Sequence, residues 1–324
     1  MKLKTQNSKF KILFYFGGLL ILLIFTFLLA ISLGSESLSF FDLSEQHKTI
    51  LFEVRLPRVL LGLATGASLA VAGAGFQALL RNPLAEPYLL GVSNGAALGT
   101  MFAFIFFGQF EFMRPILAFG GAVLSTFAVY QMAKSRAGMN TERLVLSGVI
   151  ITTFLSSIIV LLTTLLDTTR LRSFTFWLLG DLSQASPNSF YLAIIAAIIG
   201  TIVLTTVGRS LNLMMLGERD AFDFGVEVQK TRLIVFATAS ALVGTAVASS
   251  GSVGYVGLVV PHIVRLLIGS DNRYVIPTTA FAGAIFVMLA DTIARTAIAP
   301  RELPVGAITA LIGAPMFIYL LRKS

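Results

Sequence analysis

The chain holds few residues able to do covalent chemistry. The stretch GVSNG at 91–95 fits the G-x-S-x-G pattern of serine hydrolases, with Ser93 in the place of the nucleophile. That role needs a strand–turn–helix setting and a histidine base, whereas Ser93 lies inside an apolar run. Only two histidines, His47 and His262, are present, and the absence of cysteine excludes thiolate metal sites and disulfides. We therefore predict no enzyme activity, no catalytic residue, no metal site and no cofactor bound by this chain, with hydrolysis through Ser93 as an alternative.

Residues that could couple transport to an energy source are also few. No Gly-Lys dipeptide occurs, so the chain lacks the G-x-x-x-x-G-K-[ST] loop that cradles ATP phosphates. Asp291 is the one acid well inside an apolar run, and Arg295 follows it by four residues. This spacing predicts an ion pair near the outer end of a helix. His262 lies beside Arg265 toward the predicted inner side, which favours a structural or partner-contact role over haem ligation.

These residues stand in a strongly apolar chain. Of its 324 residues, 56% are hydrophobic and 12% are charged, and the mean hydropathy is +0.87, far from the composition of soluble domains. The net charge of +8 resides in short loops between apolar runs, which favours contact with membrane lipid and argues against nucleic acid as a partner. Ten apolar runs predict transmembrane helices, at about 12–33, 59–80, 88–107, 115–133, 143–166, 189–207, 233–250, 252–268, 275–294 and 304–321. We predict an all-α integral membrane protein with one polytopic domain over residues 1–324.

The distribution of positive charge predicts the orientation of these helices. Ten spans put both termini on one side of the membrane, and sixteen of the 24 Lys and Arg residues fall on that side. The positive-inside rule therefore places both termini and the segment 211–230 in the cytoplasm, with the chain in the cytoplasmic (inner) membrane. The first run is longer than the core of a signal peptide and lacks an A-x-A-like site, so we interpret it as a retained helix.

Small residues predict close helix packing. Gly62 and Gly66 form one G-x-x-x-G pattern, and Gly91, Gly95 and Gly99 form another, so each helix has a flat face that a neighbouring backbone can approach. The stretch ATGASLAVAGAG (64–75) also loosely echoes ATASALVGTAVASSG (237–251). The two runs cross the predicted membrane in opposite directions, which predicts a weak inverted repeat of the kind found in transporters.

A polar island, MLGERDAFDFGVEVQKTR at 215–232, interrupts the apolar pattern. Gly217, Ala221 and Gly225 recur every four residues, which predicts a short helix with one smooth side and an end at Gly225. Such a helix suits contact with a cytoplasmic partner, although an ordinary solvated loop has the same composition.

Polar residues near the predicted spans form two further groups. Two outer turns carry arginines whose planar forks suit the carboxylates of a docking partner or the phosphates of lipid; they are Arg55, Arg58, Arg295 and Arg301. Hydroxyls of the fifth run gather toward one helix side, where they could line a path or bond back to their own helix; the candidates are Thr153, Ser156, Ser157 and Thr164.

Four long stretches, in this order along the chain, resemble the membrane subunits of ABC importers for iron-siderophores, haem and cobalamin. They are RLPRVLLGLATGASLAVAGAGFQALLRNPLAEPYLLGVSNGAALG (55–99), LGERDAFDFGV (216–226), GYVGLVVPHIVRLLIGSDNR (254–273) and RELPVGAITALIGAPMFIYLL (301–321). The resemblance implies a pair of ten-helix subunits, two cytoplasmic ATPase subunits that bind ATP and Mg, and an extracytoplasmic binding protein for the metal chelate. The expected function is import of an iron chelate (siderophore or haem) or cobalamin by alternating access. An ion-gradient-driven secondary transporter with a similar number of spans is the alternative.

The resemblance also implies roles for particular residues. The ATPase-coupling segment corresponds to Gly217, Glu218, Arg219, Ala221, Phe224 and Gly225. The cytoplasmic gate corresponds to Asn82, Leu84, Asn140 and Thr141, and an ordinary rigid turn is the alternative for Asn82. Docking of the binding protein corresponds to Arg55, Arg58 and Arg295, while Arg301 has no counterpart that we can assign.

Overall fold

The structure of the chain is a computed structural model that describes residues 2–34, 44–107, 110–135, 138–183 and 185–323. Most of this part is helical. The helical elements in chain order are α1 (Lys2–Ser32), α2 (Glu45–Thr49), a π-helical turn (Ile50–Arg55), α3 (Leu56–Leu80), a 3₁₀ turn (Pro87–Leu90), α4 (Val92–Phe106), α5 (Met113–Ala133), α6 (Thr141–Thr163), α7 (Thr168–Leu178), α8 (Pro187–Thr206), α9 (Gly208–Leu216), α10 (Glu218–Asp223), α11 (Val228–Ser250), α12 (Val256–Ile268), α13 (Asn272–Thr296) and α14 (Val305–Lys323). A short antiparallel pairing joins β1 (Lys134–Ser135) to β2 (Gly138–Met139) between α5 and α6.

The predicted all-α membrane fold is confirmed. Among the described residues, seven helical stretches are long and apolar enough to cross a membrane. Three shorter apolar helices, Val92–Phe106, Val256–Ile268 and Val305–Tyr319, fall on the remaining predicted runs. The run at 59–80 belongs to a longer helical stretch, His47–Leu80. Length and composition thus qualify seven of the ten predicted runs as spans, while α7, α9 and α10 lie outside all of them.

Helix α3 occupies the centre of the bundle, where it packs against α8, α11 and α13 and is buried along almost its whole length. Glycines allow the backbones to approach each other. A Cβ atom on Gly66 would lie 2.1 Å from the carbonyl oxygen of Gly283, and one on Gly73 would lie 2.0 Å from that of Gly257. The predicted small-residue packing is therefore confirmed at Gly66. At Gly62 the nearest atoms are side-chain atoms from 3.5 Å outward, so a methyl group fits there.

The second glycine pattern joins α4 to α5. A Cβ atom on Gly95 would lie 2.1 Å from Oγ of Ser125, and one on Gly99 would lie 1.9 Å from the carbonyl oxygen of Leu117. These two positions confirm the predicted flat face. Gly91 has a different function, because its φ of +79° makes the left-handed bend between the 3₁₀ turn and α4.

A break between α11 and α12 lies against the 3₁₀ turn. Residues 251–254 are not helical. The N–H of Gly251 still donates to the carbonyl oxygen of Val247 at 2.9 Å, but the polar backbone groups beyond it need other partners inside an apolar bundle. The hydroxyl of Tyr88 provides two of them, since it donates to the carbonyl oxygen of Val253 at 2.9 Å and accepts from its N–H at 3.0 Å. The N–H of Tyr255 donates to the carboxylate of Glu86 at 3.3 Å. These hydrogen bonds connect the break between α11 and α12 to the 3₁₀ turn and to Glu86, which precedes that turn.

Candidate functional site

The polar island covers the end of α9, a turn at Gly217, the six-residue helix α10 and the start of α11. Ala221 is fully buried against the chain's own helices, whereas Phe222 and Phe224 are each 71% exposed and Leu216 is 72% exposed. The prediction that Ala221 contacts a partner is therefore wrong. Of the three residues in the four-residue spacing, only Ala221 lies within α10 and packs inward; Gly217 is partly exposed, and Gly225 is exposed with no atom within 4 Å of its Cβ position. Large apolar side chains form the outward face.

Helix α10 ends where the glycine spacing predicted. Its last residue is Asp223, and Gly225 follows with φ of +80° in the left-handed region that favours glycine. The N–H of Gly225 donates to the carbonyl oxygen of Phe222 at 2.8 Å, and α11 begins at Val228. Glu218 and Arg219 open α10 with exposed side chains.

Glu218 links α10 to other parts of the chain. Its carboxylate accepts a hydrogen bond from the buried guanidinium of Arg232 in α11, and Arg81 at the end of α3 lies 3.7 Å away. Arg232 also donates to the carbonyl oxygen of Met139 in β2 at 2.7 Å, and the N–H of Met139 donates to the side chain of Gln229 at 2.9 Å. These contacts of Arg232 could not be predicted from the sequence, because a lone arginine at the start of an apolar run does not reveal its partners.

The predicted gate residues serve as caps of local structure. The side-chain oxygen of Asn82 accepts from the N–H of Leu84 at 2.9 Å, so the turn alternative describes its geometry. Asn140 caps α6, since its side-chain oxygen accepts from two N–H groups of the first helical turn at 2.9 and 3.1 Å. Thr141 is the first residue of α6, and the side chain of Leu84 is exposed.

The hydroxyls of α6 mostly bond to their own helix. Thr153, Ser157 and Thr164 each donate to a carbonyl oxygen three or four residues earlier, at 2.9, 3.0 and 2.6 Å. Ser156 differs, because it accepts from the side-chain amide of Asn94 in α4 at 2.6 Å. Three of the four candidates thus show the back-bonding alternative, and the side chains of all three are exposed, two on α6 and one directly after it.

The residues considered for catalysis or ligation have structural surroundings. Ser93 is buried within α4, and its hydroxyl donates to that of Ser252 at 3.3 Å. It therefore lacks both the strand–turn–helix setting and the histidine base. The ring of His262 lies 6.4 Å from that of Phe317 in an edge contact. Among the described residues, no group of three or more His, Cys, Asp or Glu is placed to hold a metal ion.

Two of the outer arginines form an ion cluster with two acids, of which one is buried. Arg58 donates to both carboxylate oxygens of Asp291 at 2.9 to 3.2 Å and to Glu302 at 2.8 Å. Arg295 lies 3.4 Å from Asp291, which confirms the predicted ion pair. Asp291 and Arg58 have side-chain exposures of only 3% and 8%, whereas Glu302 is 42% exposed.

Arg55 and one arginine of the cluster, Arg295, also cap α1. Arg55 donates to two carbonyl oxygens in residues 30–32 at 3.0 and 3.1 Å, and Arg295 donates to a third. Cations at a helix C-terminus stabilise its unpaired carbonyl groups. The structure thus brings Arg55, Arg58 and Arg295 together as predicted, but it buries all three, which leaves them little surface for the docking partner expected from the sequence. Arg301 is exposed.

Comparisons with known proteins agree with this architecture. The sequence profile of the FecCD transport family matches residues 22–323. The chain is 38% identical, over 95% of its length and 95% of the relative's, to the hemin transport system permease protein HmuU of Yersinia pestis. It is 40% identical, over 87% of its length and 76% of the relative's, to the cobalamin import system permease protein BtuC of Halobacterium salinarum. An inward-facing structure of a metal-chelate type ABC transporter superposes with a TM-score of 0.86 at 32% identity, covering 97% of this chain and 100% of that one.

The fold and these matches define the class of protein: a membrane permease subunit of an ABC importer, which is not an enzyme. The chain belongs to the FecCD transport family. Family membership decides against both the serine hydrolase and the ion-gradient-driven transporter. It also implies ATPase partners and a paired arrangement within a multi-pass membrane complex.

Proposed function

We propose that the chain imports a metal chelate, haem or cobalamin across the cytoplasmic membrane by alternating access. Two copies form the pathway, two cytoplasmic ATPase subunits bind ATP and Mg, and an extracytoplasmic binding protein delivers the cargo. The cargo classes rest on the named relatives, a hemin permease and a cobalamin permease. Both termini and the segment 211–230 face the cytoplasm, in keeping with the distribution of Lys and Arg.

The observation that carries this proposal is the apolar outward face of the coupling segment. Leu216, Phe222 and Phe224 stay more than two-thirds exposed, although they stand among charged residues outside the apolar spans. Aromatic side chains held outward on a rigid element are typical centres of protein interfaces. Their burial in a cleft of the ATPase subunit would connect ATP binding to movement of α10.

The contacts of Glu218 supply the route from α10 to the gate. Movement of α10 would pull on Arg232, and through it on the backbone of Met139, which immediately precedes the cap residue Asn140. On the other side, Arg81 adjoins Asn82 at the end of α3. Each predicted gate segment is therefore next in sequence to a residue that is linked to Glu218. Asn82 follows Arg81, and Asn140 follows Met139, which is linked to Glu218 through Arg232.

The remaining predicted roles fit the surfaces of the single chain. The hydroxyl-bearing side of α6, with Thr153 and Ser157, is exposed in the described part of the chain and is proposed to face the pathway. Arg301, exposed at the outer end, is proposed to meet an acidic residue of the binding protein. Arg58 and Arg295 are proposed to stabilise the structure of the surface beside Arg301.

The coupling proposal is tested by replacing the outward aromatic side chains. Phe222→Ala combined with Phe224→Ala should lower the fraction of ATPase that copurifies with the chain at least tenfold and abolish ATP-driven uptake, while the chain still inserts. The neighbouring exposed Asp223→Ala serves as the matched control and should behave like the parent. Normal ATPase capture by the aromatic double variant would place the interface elsewhere.

The orientation is tested separately with introduced cysteines, which can be read without background because the chain has none. Lys48, Ile298 and Phe222 are all exposed. Lys48→Cys and Ile298→Cys should react with a membrane-impermeant maleimide in intact cells. Phe222→Cys should react only after permeabilisation, and its labelling in sealed cells would contradict the cytoplasmic position of α10.

A further inference from the structure

An apolar groove of about 270 Å³ runs between α5 and α11. Its walls are apolar apart from Thr126, Ser240 and the hydroxyl of Tyr130. At one end the rings of Tyr130 and Phe236 stack in the wall, with their centres 6.3 Å apart. The groove thus lies on the surface of two helices that are long and apolar enough to cross a membrane.

The groove is about as long as one leaflet of a bilayer is thick. Its lining on α5 runs from Phe119 to Tyr130, and eleven helical positions correspond to a rise of about 16 Å. The helices meet near Phe119, because a Cβ atom on Gly244 would lie 3.2 Å from that of Ala122 and 3.7 Å from the Phe119 ring. A partner's membrane-spanning helix would need about 30 Å, whereas one acyl chain of a lipid extends over half of that.

A cation stands at the opposite end of the groove, beside Tyr130. Lys134 follows α5 directly, and its Nζ lies 6.0 Å from the ring centre of Tyr130. The side chain is exposed and forms no ion pair with the described residues. The proposed orientation puts this end of α5 at the cytoplasmic surface. An ammonium group there complements the phosphate of an anionic lipid.

We propose that this groove binds one anionic phospholipid of the cytoplasmic leaflet, with an acyl chain between α5 and α11 and the phosphate at Lys134. The apolar length and the single cation at its end match the two parts of such a lipid. The choice of leaflet rests on the proposed orientation. Binding is measured without ATP, ATPase or cargo, so its failure is distinguishable from failure of the proposed import function.

The site adjoins the route from the coupling segment to the gate. Lys134 pairs with Met139 across β1 and β2, and the carbonyl oxygen of Met139 accepts from Arg232 at 2.7 Å. A headgroup at Lys134 would therefore order the strand pair that Arg232 contacts. ATP-driven uptake should be faster in proteoliposomes that contain phosphatidylglycerol than in phosphatidylcholine alone, and Lys134→Gln should remove the difference. A difference that persists in Lys134→Gln would overturn this effect on coupling.

Native mass spectrometry of the full chain, released from detergent micelles, counts the bound lipids. Phosphatidylglycerol and phosphatidylcholine with identical acyl chains are titrated in parallel, and the parent should retain one phosphatidylglycerol in preference. Lys134→Gln should weaken phosphatidylglycerol binding about fivefold, as expected for the loss of one lysine at an anionic surface, and leave phosphatidylcholine unchanged. Lys230→Gln is the matched control, because Lys230 is also exposed but pairs with Glu227 at 3.3 Å. It should behave like the parent.

A second pair of variants tests the groove itself. Ala241→Trp places a large ring in the groove and should abolish retention of either lipid, whereas Ile198→Trp at an exposed position of α8 should not. Equal retention of both lipids by all variants would overturn the proposal. So would displacement of the lipid by free glycerol phosphate, which would show that the headgroup alone is bound. Loss of a two-copy mass in Ala241→Trp without loss of lipid would also overturn it, since a second copy of the chain would then be the occupant.

Discussion

Replacing Asp291 by Asn tests the buried ion cluster most severely. Its carboxylate accepts three hydrogen-bond contacts from Arg58 at 2.9 to 3.2 Å and lies 3.4 Å from Arg295. Asparagine has nearly the same shape but carries no charge, and it presents one acceptor in place of two. The variant therefore leaves two buried cations facing each other with little compensation.

The expected loss follows from burial. Removing one partner of a buried ion pair costs about 3–5 kcal/mol, because the remaining charge stays desolvated. Asp291 has 3% side-chain exposure, and the retained amide oxygen places Asp291→Asn toward the lower bound. Glu302 contacts the same arginine at 2.8 Å, but its 42% exposure reduces the expected loss for Glu302→Gln to about 1 kcal/mol or less.

Unfolding of the purified chain in mixed detergent micelles, titrated with SDS and followed by Trp177 fluorescence, measures both variants. A loss of 3 kcal/mol for Asp291→Asn corresponds to more than a hundredfold in the unfolding equilibrium constant. Similar small losses for Asp291→Asn and Glu302→Gln would refute the reasoning, since they would show that burial does not govern the strength of this cluster.

Three more predictions concern packing, protonation and the coupling helix. Gly99→Ala places a methyl group against the backbone of the facing helix and should lower the free energy of unfolding by about 1–3 kcal/mol, whereas Gly120→Ala, which meets no atom within 4 Å, should be neutral or slightly stabilising. Burial raises the pKa of the Glu86 carboxyl above its usual value of about 4.3, so the ionised group weakens the fold as the pH rises above that value; Glu86→Gln, which keeps the acceptor for Tyr255, should be more stable than the parent at pH 7, with the difference disappearing below about pH 4. Ala221→Trp should lose thermal stability as well as uptake, because Ala221 packs inside the chain; loss of uptake with unchanged stability would indicate an outward role.

Hydropathy predicted the large elements because a bilayer selects for length and apolarity, both of which can be counted in sequence. Short helices escaped this reasoning. Helix α7 mixes charged, hydroxyl and aromatic residues in eleven positions, so its sequence resembles a loop. The glycine spacing at Gly95 and Gly99 was informative for a different reason, since a residue without a side chain at the right period identifies a contact face directly.

The partner that a helix side contacts was harder to predict than the side itself. The spacing through Ala221 predicted a short helix and its end near Gly225, but periodicity does not say whether a buried position on that helix meets the chain itself or another protein. The outer arginines show the same limit. Asp291 and Arg58 are separated by 233 positions, so nothing local indicates that the acid neutralises the arginine. Local spacing did predict the ion pair of Asp291 and Arg295, because side chains four residues apart lie on the same side of a helix.

Reconstituted uptake shows whether ATP hydrolysis drives transport through this chain. The chain is placed in proteoliposomes with its ATPase partner inside and its binding protein outside, and accumulation of haem, cobalamin or a ferric siderophore is followed with ATP or a non-hydrolysable analogue in the lumen. We expect uptake of one of these cargoes that requires ATP hydrolysis and survives collapse of the proton and sodium gradients. This uptake should be lost in Phe222→Ala combined with Phe224→Ala. Uptake that persists without ATP and ceases when the ion gradients collapse would contradict it.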